Sequence, residues 1–193
     1  MPRVRYTDAK GLFQENGSGF DLDNDIGQTW GAGAIGNGVA PKAFRRTENG
    51  VIVTTLKIDI SGLAVKGDAA NDVIGLAAGG AAYIYRNEVA KNGVIFRAEI
   101  ICVETPGEGT ATITTDIDFA FNSSAILAYD GAASAAEINT GGFANAGKMA
   151  SDDDLNLTEG DYMYIVEGDT AATTGVYNAG QFIIRLYGHP TLG

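Results

Sequence analysis

Carboxylates are the first chemistry this sequence offers. The stretch DLDNDIG, residues 21–27, sets Asp21, Asp23 and Asp25 at alternate positions just ahead of Gly27, the way a calcium loop often begins. Such a loop takes oxygen ligands at its first, third and fifth positions, glycine at the sixth and a bidentate glutamate at the twelfth. Counted from Asp21, the sixth position is Ile26 and the twelfth is Ala32, and no helical pattern flanks the stretch. It reads as a solvated acidic turn. In SDDDLNLTEGD, Asp152, Asp153 and Asp154 are consecutive, so on a strand they point to alternate faces and do not converge on one ion. That second cluster reads as a charged loop guarding a sheet edge. No metal site is expected.

Nucleophilic chemistry has little to work with. The single histidine, His189, stands in GHPTLG close to the end of the sequence, a poor place to build a Ser-His-Asp or Cys-His arrangement. The single cysteine, Cys102, lies in the apolar run AEIICVE and reads as a buried, inert thiol with no partner for an intrachain disulfide. A two-carboxylate glycosidase needs only Asp and Glu, of which there are 24, but one tryptophan is a thin aromatic supply for a carbohydrate cleft. GAGAIG at 31–36 fits G-x-G-x-x-G in form only; that fingerprint has meaning between a strand and a helix, and here it sits in a glycine-rich stretch. No catalytic residues, no cofactor and no enzymatic role are expected.

The elements that would carry any site are strands. Glycine makes up 27 of 193 residues, about twice the usual share, and no segment repeats the apolar stripe of a long helix. VIVTTLKIDI (51–60) alternates with Ile52, Thr54, Leu56, Ile58 and Ile60 on one face. DVIGLAA and AAYIYR read as short strands around Gly79-Gly80. GVIFRAEIICVE (93–104) puts Val94, Phe96, Ala98, Ile100 and Cys102 on one face, with a turn at TPGEG returning as TATITTDIDFAF to make a hairpin. Residues 122–150 read as a long loop with at most one helical turn. GDYMYIVEG and GVYNAGQFIIRLYG close the chain as two strands. The expected fold is all-β: a β-sandwich, with jelly-roll topology, over residues 51–193. Residues 1–50, rich in glycine and polar turn formers, read as an extended N-terminal arm.

Charge divides along the same line. Residues 1–50 carry six basic and six acidic groups, so the whole net charge of −11 falls on residues 51–193. An acidic body repels phosphates and anionic headgroups, which argues against nucleic acid or a membrane as partner. MPRVRYTDAK has no apolar core of a signal peptide, and no run is long and apolar enough to span a bilayer, so synthesis in a cytoplasm is expected. Arg3, Arg5, Trp30, Phe44, Arg45 and Arg46 combine arginine forks with aromatics in the arm and are the interface candidates.

LKIDISGL, NDVIG, EIICVETPGEG and YMYIVEGDTAATTGVYNAGQFIIRLYG together resemble small virion structural proteins of tailed phages, particularly those infecting marine bacteria. The resemblance spans roughly residues 52–188, is most specific at YNAGQFIIRLYG, and leaves the opening arm unmatched. It implies a virion protein on or in the capsid and brings no active-site residues with it. The expectation is a capsid decoration (cement) protein: a trimer on the outside of the shell, with the major capsid protein and further copies of itself as partners. The alternative is a receptor- or glycan-binding protein of a head fibre.

Overall fold

The computed structural model describes residues 4–7, 11–14, 30–67, 69–108, 113–122, 127–131, 136–138, 142, 146–155, 157–168 and 174–190. Its strands are β1 (Val4–Thr7), β2 (Gly11–Gln14), β3 (Lys42–Glu48), β4 (Val51–Asp59), β5 (Ala64–Val65), β6 (Tyr85–Arg86), β7 (Val94–Glu108), β8 (Ile117–Asn122), β9 (Ala136–Ile138), β10 (Met149–Asp152), β11 (Tyr162–Glu167) and β12 (Gly175–His189). One short helix, α1 (Val89–Asn92), precedes β7. Two antiparallel sheets face each other. The large one runs β10-β7-β12-β4-β3, with β5 added to one end of β12, and the small one runs β6-β11-β8-β9. The all-β sandwich expected from the sequence is what the chain forms.

The pairing is nested. β4 pairs with β12, β6 with β11, β7 with β10 and β8 with β9, all antiparallel. The cross-pairs β12–β7 and β11–β8 then join these hairpin-like pairs into the two sheets. Period-2 alternation explains the inner faces. Thr54, Leu56, Ile58 and Ile60 are buried along and just beyond β4, while Ile52 is half-buried at its start. Phe182, Ile184 and Leu186 from β12 meet Ile117, Phe119 and Phe121 from β8 and Met163 and Ile165 from β11. Phe119 and Phe182 touch edge-on across the two sheets, centroids 6.2 Å apart.

Three sequence expectations change. First, β7 runs on through Pro106 to Glu108, and β8 belongs to the other sheet, so the expected 93–121 hairpin does not form. Second, the 122–150 region contains β9 and β10, whose few small and polar residues give no alternation to read. Third, the alternation of β7 is interrupted. Arg97 pairs with Tyr187 but Ile95 with Gly188, leaving Phe96 bulged; Glu104 pairs with Gln181 but Cys102 with Phe182, leaving Val103 bulged. A bulge reverses the face that follows it. Ile95, Ala98, Ile100 and Cys102 therefore point inward, while Phe96 and Val103 stand exposed on the outer face.

The boundary at residue 50 also moves. β3 forms a complete ladder with β4 across a hairpin whose turn is Asn49-Gly50, both with positive φ, the turn that strand twist favours. Ala34 and Ala43 lie in the core and Trp30 packs against it, so residues 30–50 are part of the sandwich. Within 1–29, β1 and β2 pair as a separate two-stranded sheet. GAGAIG is packing, not phosphate chemistry: a Cβ on Gly31, Gly33 or Gly36 would sit 2.0–2.5 Å from the carbonyl oxygens of Ala81, Gly80 or Ser61.

The small sheet is covered on both sides. Its outer face, with Ala120, Tyr164 and Val166, packs under Val73, Ala82, Tyr83 and Leu127, and the Tyr164 hydroxyl accepts a 3.0 Å hydrogen bond from the Leu127 amide. At one end of the sandwich a buried polar network holds the layers in register. Asn92 Oδ1 accepts from Tyr85 and Thr54, Asn92 Nδ2 donates to Asn87, and Asn87 Nδ2 donates to the Thr158 carbonyl.

Deleting residues 1–50 removes β3 together with core residues Ala34 and Ala43. The truncated chain is expected to lose several kcal/mol of stability, enough to prevent cooperative folding in many domains (about 5–15 kcal/mol in total). Circular dichroism with a thermal scan reads this directly; a sharp, unshifted transition in the truncated chain would show that β3 is dispensable. Gly188→Ala is expected to destabilise by about 1–3 kcal/mol, because its Cβ would fall 1.9 Å from the Asn92 carbonyl oxygen.

Candidate functional site

With the small sheet covered, the outer face of the large sheet is the one that no described segment covers. Register fixes what it presents, row by row across the strands. One row reads Met149, Ile101, Ile183, Lys57 and Lys42 from β10 to β3. The next reads Ser151, Glu99, Arg185, Thr55 and Phe44, and a third places Arg97, Tyr187, Val53 and Arg46 in line. Gln181 and Asp59 pair beyond the first row, beside the bulged Val103.

The middle of this face is a compensated polar cluster. Arg97 pairs with Glu99 at 2.7 Å and with Asp153 at 3.2 Å, and the Tyr187 hydroxyl donates to Glu99 at 2.6 Å. The Arg97 guanidinium also lies over the Tyr187 ring. Burial, then the bond to Glu99 and its negative charge, raise the Tyr187 pKa, with Arg185 acting the other way. Towards β3 the face opens into a groove of about 430 Å³ lined by Val39, Phe44, Lys57, Val103, Gln181 and Ile183, among others. Lys57 Nζ sits 5.3 Å from the Phe44 ring centre, and Gln181 reaches Asp59 at 3.5 Å.

The sequence-derived candidates divide. Phe44 is on the open face at the groove, and Arg46 is exposed beside it with its Nε 3.1 Å from Glu48. Arg45 points to the other side of β3 and donates to the Lys91 carbonyl at 2.8 Å. Trp30 is half-buried against the sandwich's own core. Arg5 is in β1, where its backbone pairs with Phe13; Arg3, Asp21, Asp23 and Asp25 lie outside the described residues. What the sequence missed is the groove's far side, Val103, Gln181 and Ile183. Alternation was the available signal for Val103: with Cys102 inward, the next residue of ICVETPG faces outward with Arg97, Glu99 and Ile101.

The remaining reactive groups are structural in their surroundings. His189 is exposed at the end of β12 and stacks on Phe96, centroids 6.3 Å apart. Burial, then Glu104, raise the pKa of the buried Cys102 thiol, which lies 3.3 Å from the Glu104 carbonyl. Asp152 accepts the Asp154 amide at 2.8 Å, a local turn at the end of edge strand β10. Among the described residues no group of three or more His, Cys, Asp and Glu side chains is placed to hold a metal ion, and no helix is long and apolar enough to cross a membrane.

Compared with protein-family models, curated proteins and solved structures, the chain matches none of them.

Tyr164, Tyr177 and Tyr187 all hold their protons more tightly in the fold than the ordinary tyrosine does, burial being the largest cause in each. Raised folded-state values mean that the linked stability is full below about pH 10 and is lost as the pH rises above it. Urea midpoints are expected to hold between about pH 7 and pH 9 and to fall near pH 11, less steeply in Tyr177→Phe. Equal slopes for the variant and the parent chain would remove Tyr177 as a contributor.

Proposed function

We propose that the chain is a capsid decoration protein of a tailed phage, binding the outside of the shell as a trimer. The sequence resemblance at residues 52–188 motivates this reading. One structural observation carries it: the nested pairs β4–β12, β6–β11, β7–β10 and β8–β9, in keeping with the proposed jelly roll, leave one sheet face with no described segment over it, bearing the exposed apolar residues Phe96 and Val103. Jelly rolls recur in viral capsid proteins and lectins. A cement protein works by burying surface that bridges neighbouring capsomers, so a stiff platform with exposed apolar anchors and a polar centre suits the task. The major capsid protein is the partner, the virion exterior the location and the host cytoplasm the place of synthesis. The net charge of −11 disfavours contact with packaged DNA.

A glycan-binding role for a head fibre is the second reading, favoured by the groove itself. It sets the Phe44 ring beside Gln181 and Asp59, an apolar face next to amide and carboxylate groups.

Mixing the full chain with expanded tailed-phage capsids stripped of decoration, then sedimenting them, separates the two. Saturable co-sedimentation at a fixed copy number per shell is the expected result. Absence of capsid binding, together with retention on a glycan array, would replace the cement reading with the second one.

A further inference from the structure

The open sheet face is charged differently at its two edges. On the β3 side, Lys42 and Lys57 are exposed at the groove, and among the described residues neither has a carboxylate within ion-pair distance. In a chain of net charge −11, two uncompensated lysines beside an apolar groove mark a place where an acidic partner gains most. On the β10 side, Asp153 and Asp154 are exposed; Asp153 has Arg97 as its partner, while Asp154 is paired with no described cation. Beside them Met149 is 55% exposed, the highest value among the exposed large apolar residues of the described structure.

These two edges complement each other in sign and in shape. Each has an apolar element: Val39 and Phe44 in the groove on one side, the flexible Met149 side chain on the other. Lys57 and Lys42 stand on β4 and β3, three and four inter-strand spacings of about 4.8 Å from β10, so one copy does not bring its own aspartates to its lysines. A second copy can. Two arrangements bring opposite edges together. Stacking face on face would bury the Arg97, Glu99, Arg185 and Tyr187 cluster, and desolvating groups already paired within one chain is unfavourable. Edge-to-edge contact leaves Glu99, Arg185 and Tyr187 in water, involves Arg97 only through its partner Asp153, and uses one edge from each copy. Such a heterologous contact closes into a ring when the rotation permits.

We propose that copies of this chain associate head to tail, Met149, Asp153 and Asp154 of one copy seating against the Lys42 and Lys57 groove of the next. The inference rests on the trimer reading and names the surface through which the trimer closes. The contact uses side chains and leaves the β3 and β10 backbone edges unjoined, in keeping with the charges that guard both strands. Association weakens as salt is raised, because the lysine–aspartate attraction is screened.

Light scattering on the full chain, with Lys42→Glu/Lys57→Glu and Asp153→Lys/Asp154→Lys as charge-reversed variants, tests this. The parent chain is expected at about three times the 20.0 kDa monomer mass. Each variant is expected as a monomer, its association weakened roughly a hundredfold by like charges. Mixed in equal amounts, the acidic edge of the first variant meets the intact groove of the second, and the lysine edge of the second meets the glutamates of the first. The two are therefore expected to associate in alternation, in assemblies with even numbers of copies, which a three-membered ring cannot be. Circular dichroism of each variant checks that the fold survives loss of the Asp153–Arg97 pair, and Met149→Glu gives an independent disruption that leaves that pair in place. A monomeric parent chain, variants that keep the parent mass, or a mixture that stays monomeric would overturn the inference. A trimer indifferent to charge reversal leaves the capsid reading standing, whereas a charge-dependent trimer that ignores capsids defeats the capsid reading alone.

Discussion

The structure depends on where its last long strand goes. β12 enters between β4 and β7 and hydrogen-bonds to both, so the large sheet has no middle until β12 arrives, after every other strand of the sheet. Its inner side chains, Phe182, Ile184 and Leu186, supply the centre of the core, and its outer ones, Gln181, Ile183, Arg185 and Tyr187, supply the centre of the open face. Pairings this distant in sequence carry a large loop-closure entropy before they return any stabilisation, which makes slow folding the natural consequence. The strand also has to fit. Gly180, with φ of 137°, approaches the Ile60 side chain, and Gly188 lets the Asn92 carbonyl come close.

Where β12 pairs with β7 the ladder carries two bulges in β7, and the first of them shapes the outer face. An uninterrupted β7 would direct Phe96 into the sandwich and Ile95 towards solvent. The extra residue near Gly188 reverses this end of the strand, whereas Val103 faces outward by alternation with Cys102 and the second bulge brings Glu104 to the outer face opposite Gln181. The exposure of Phe96 thus arises from register. The polar network around Asn92 fixes the same end of the sandwich from inside, where an unmet amide in a dry core would be costly.

The two sheets then differ in their outer faces. Segments around Val73–Tyr83 and Leu127 cover the small sheet, whereas no described segment covers the outer face of the large one. Charges in its middle are satisfied locally by Arg97, Glu99 and Tyr187, so net electrostatic character is left to the edges, Lys42 and Lys57 at one and Asp153 and Asp154 at the other.

The sequence by itself determined the all-β class, the buried alternation of β4 and the inert setting of Cys102, because side-chain period and local apolar runs are properties of neighbouring residues. It placed Phe44 and Arg46 among the interface candidates, and both stand on or beside the open face. Tertiary structure alone decided that residues 30–50 join the sandwich, that β7 and β8 part company, and that MASD becomes an edge strand. The reason is the same in each case. Glycine-rich and small-residue segments carry little pattern of their own, so their conformation is set by the backbone and side chains that arrive from distant parts of the chain. The groove shows this most directly: Val39, Lys57, Val103 and Gln181 are brought together only by the ladders that β12 makes on its two sides.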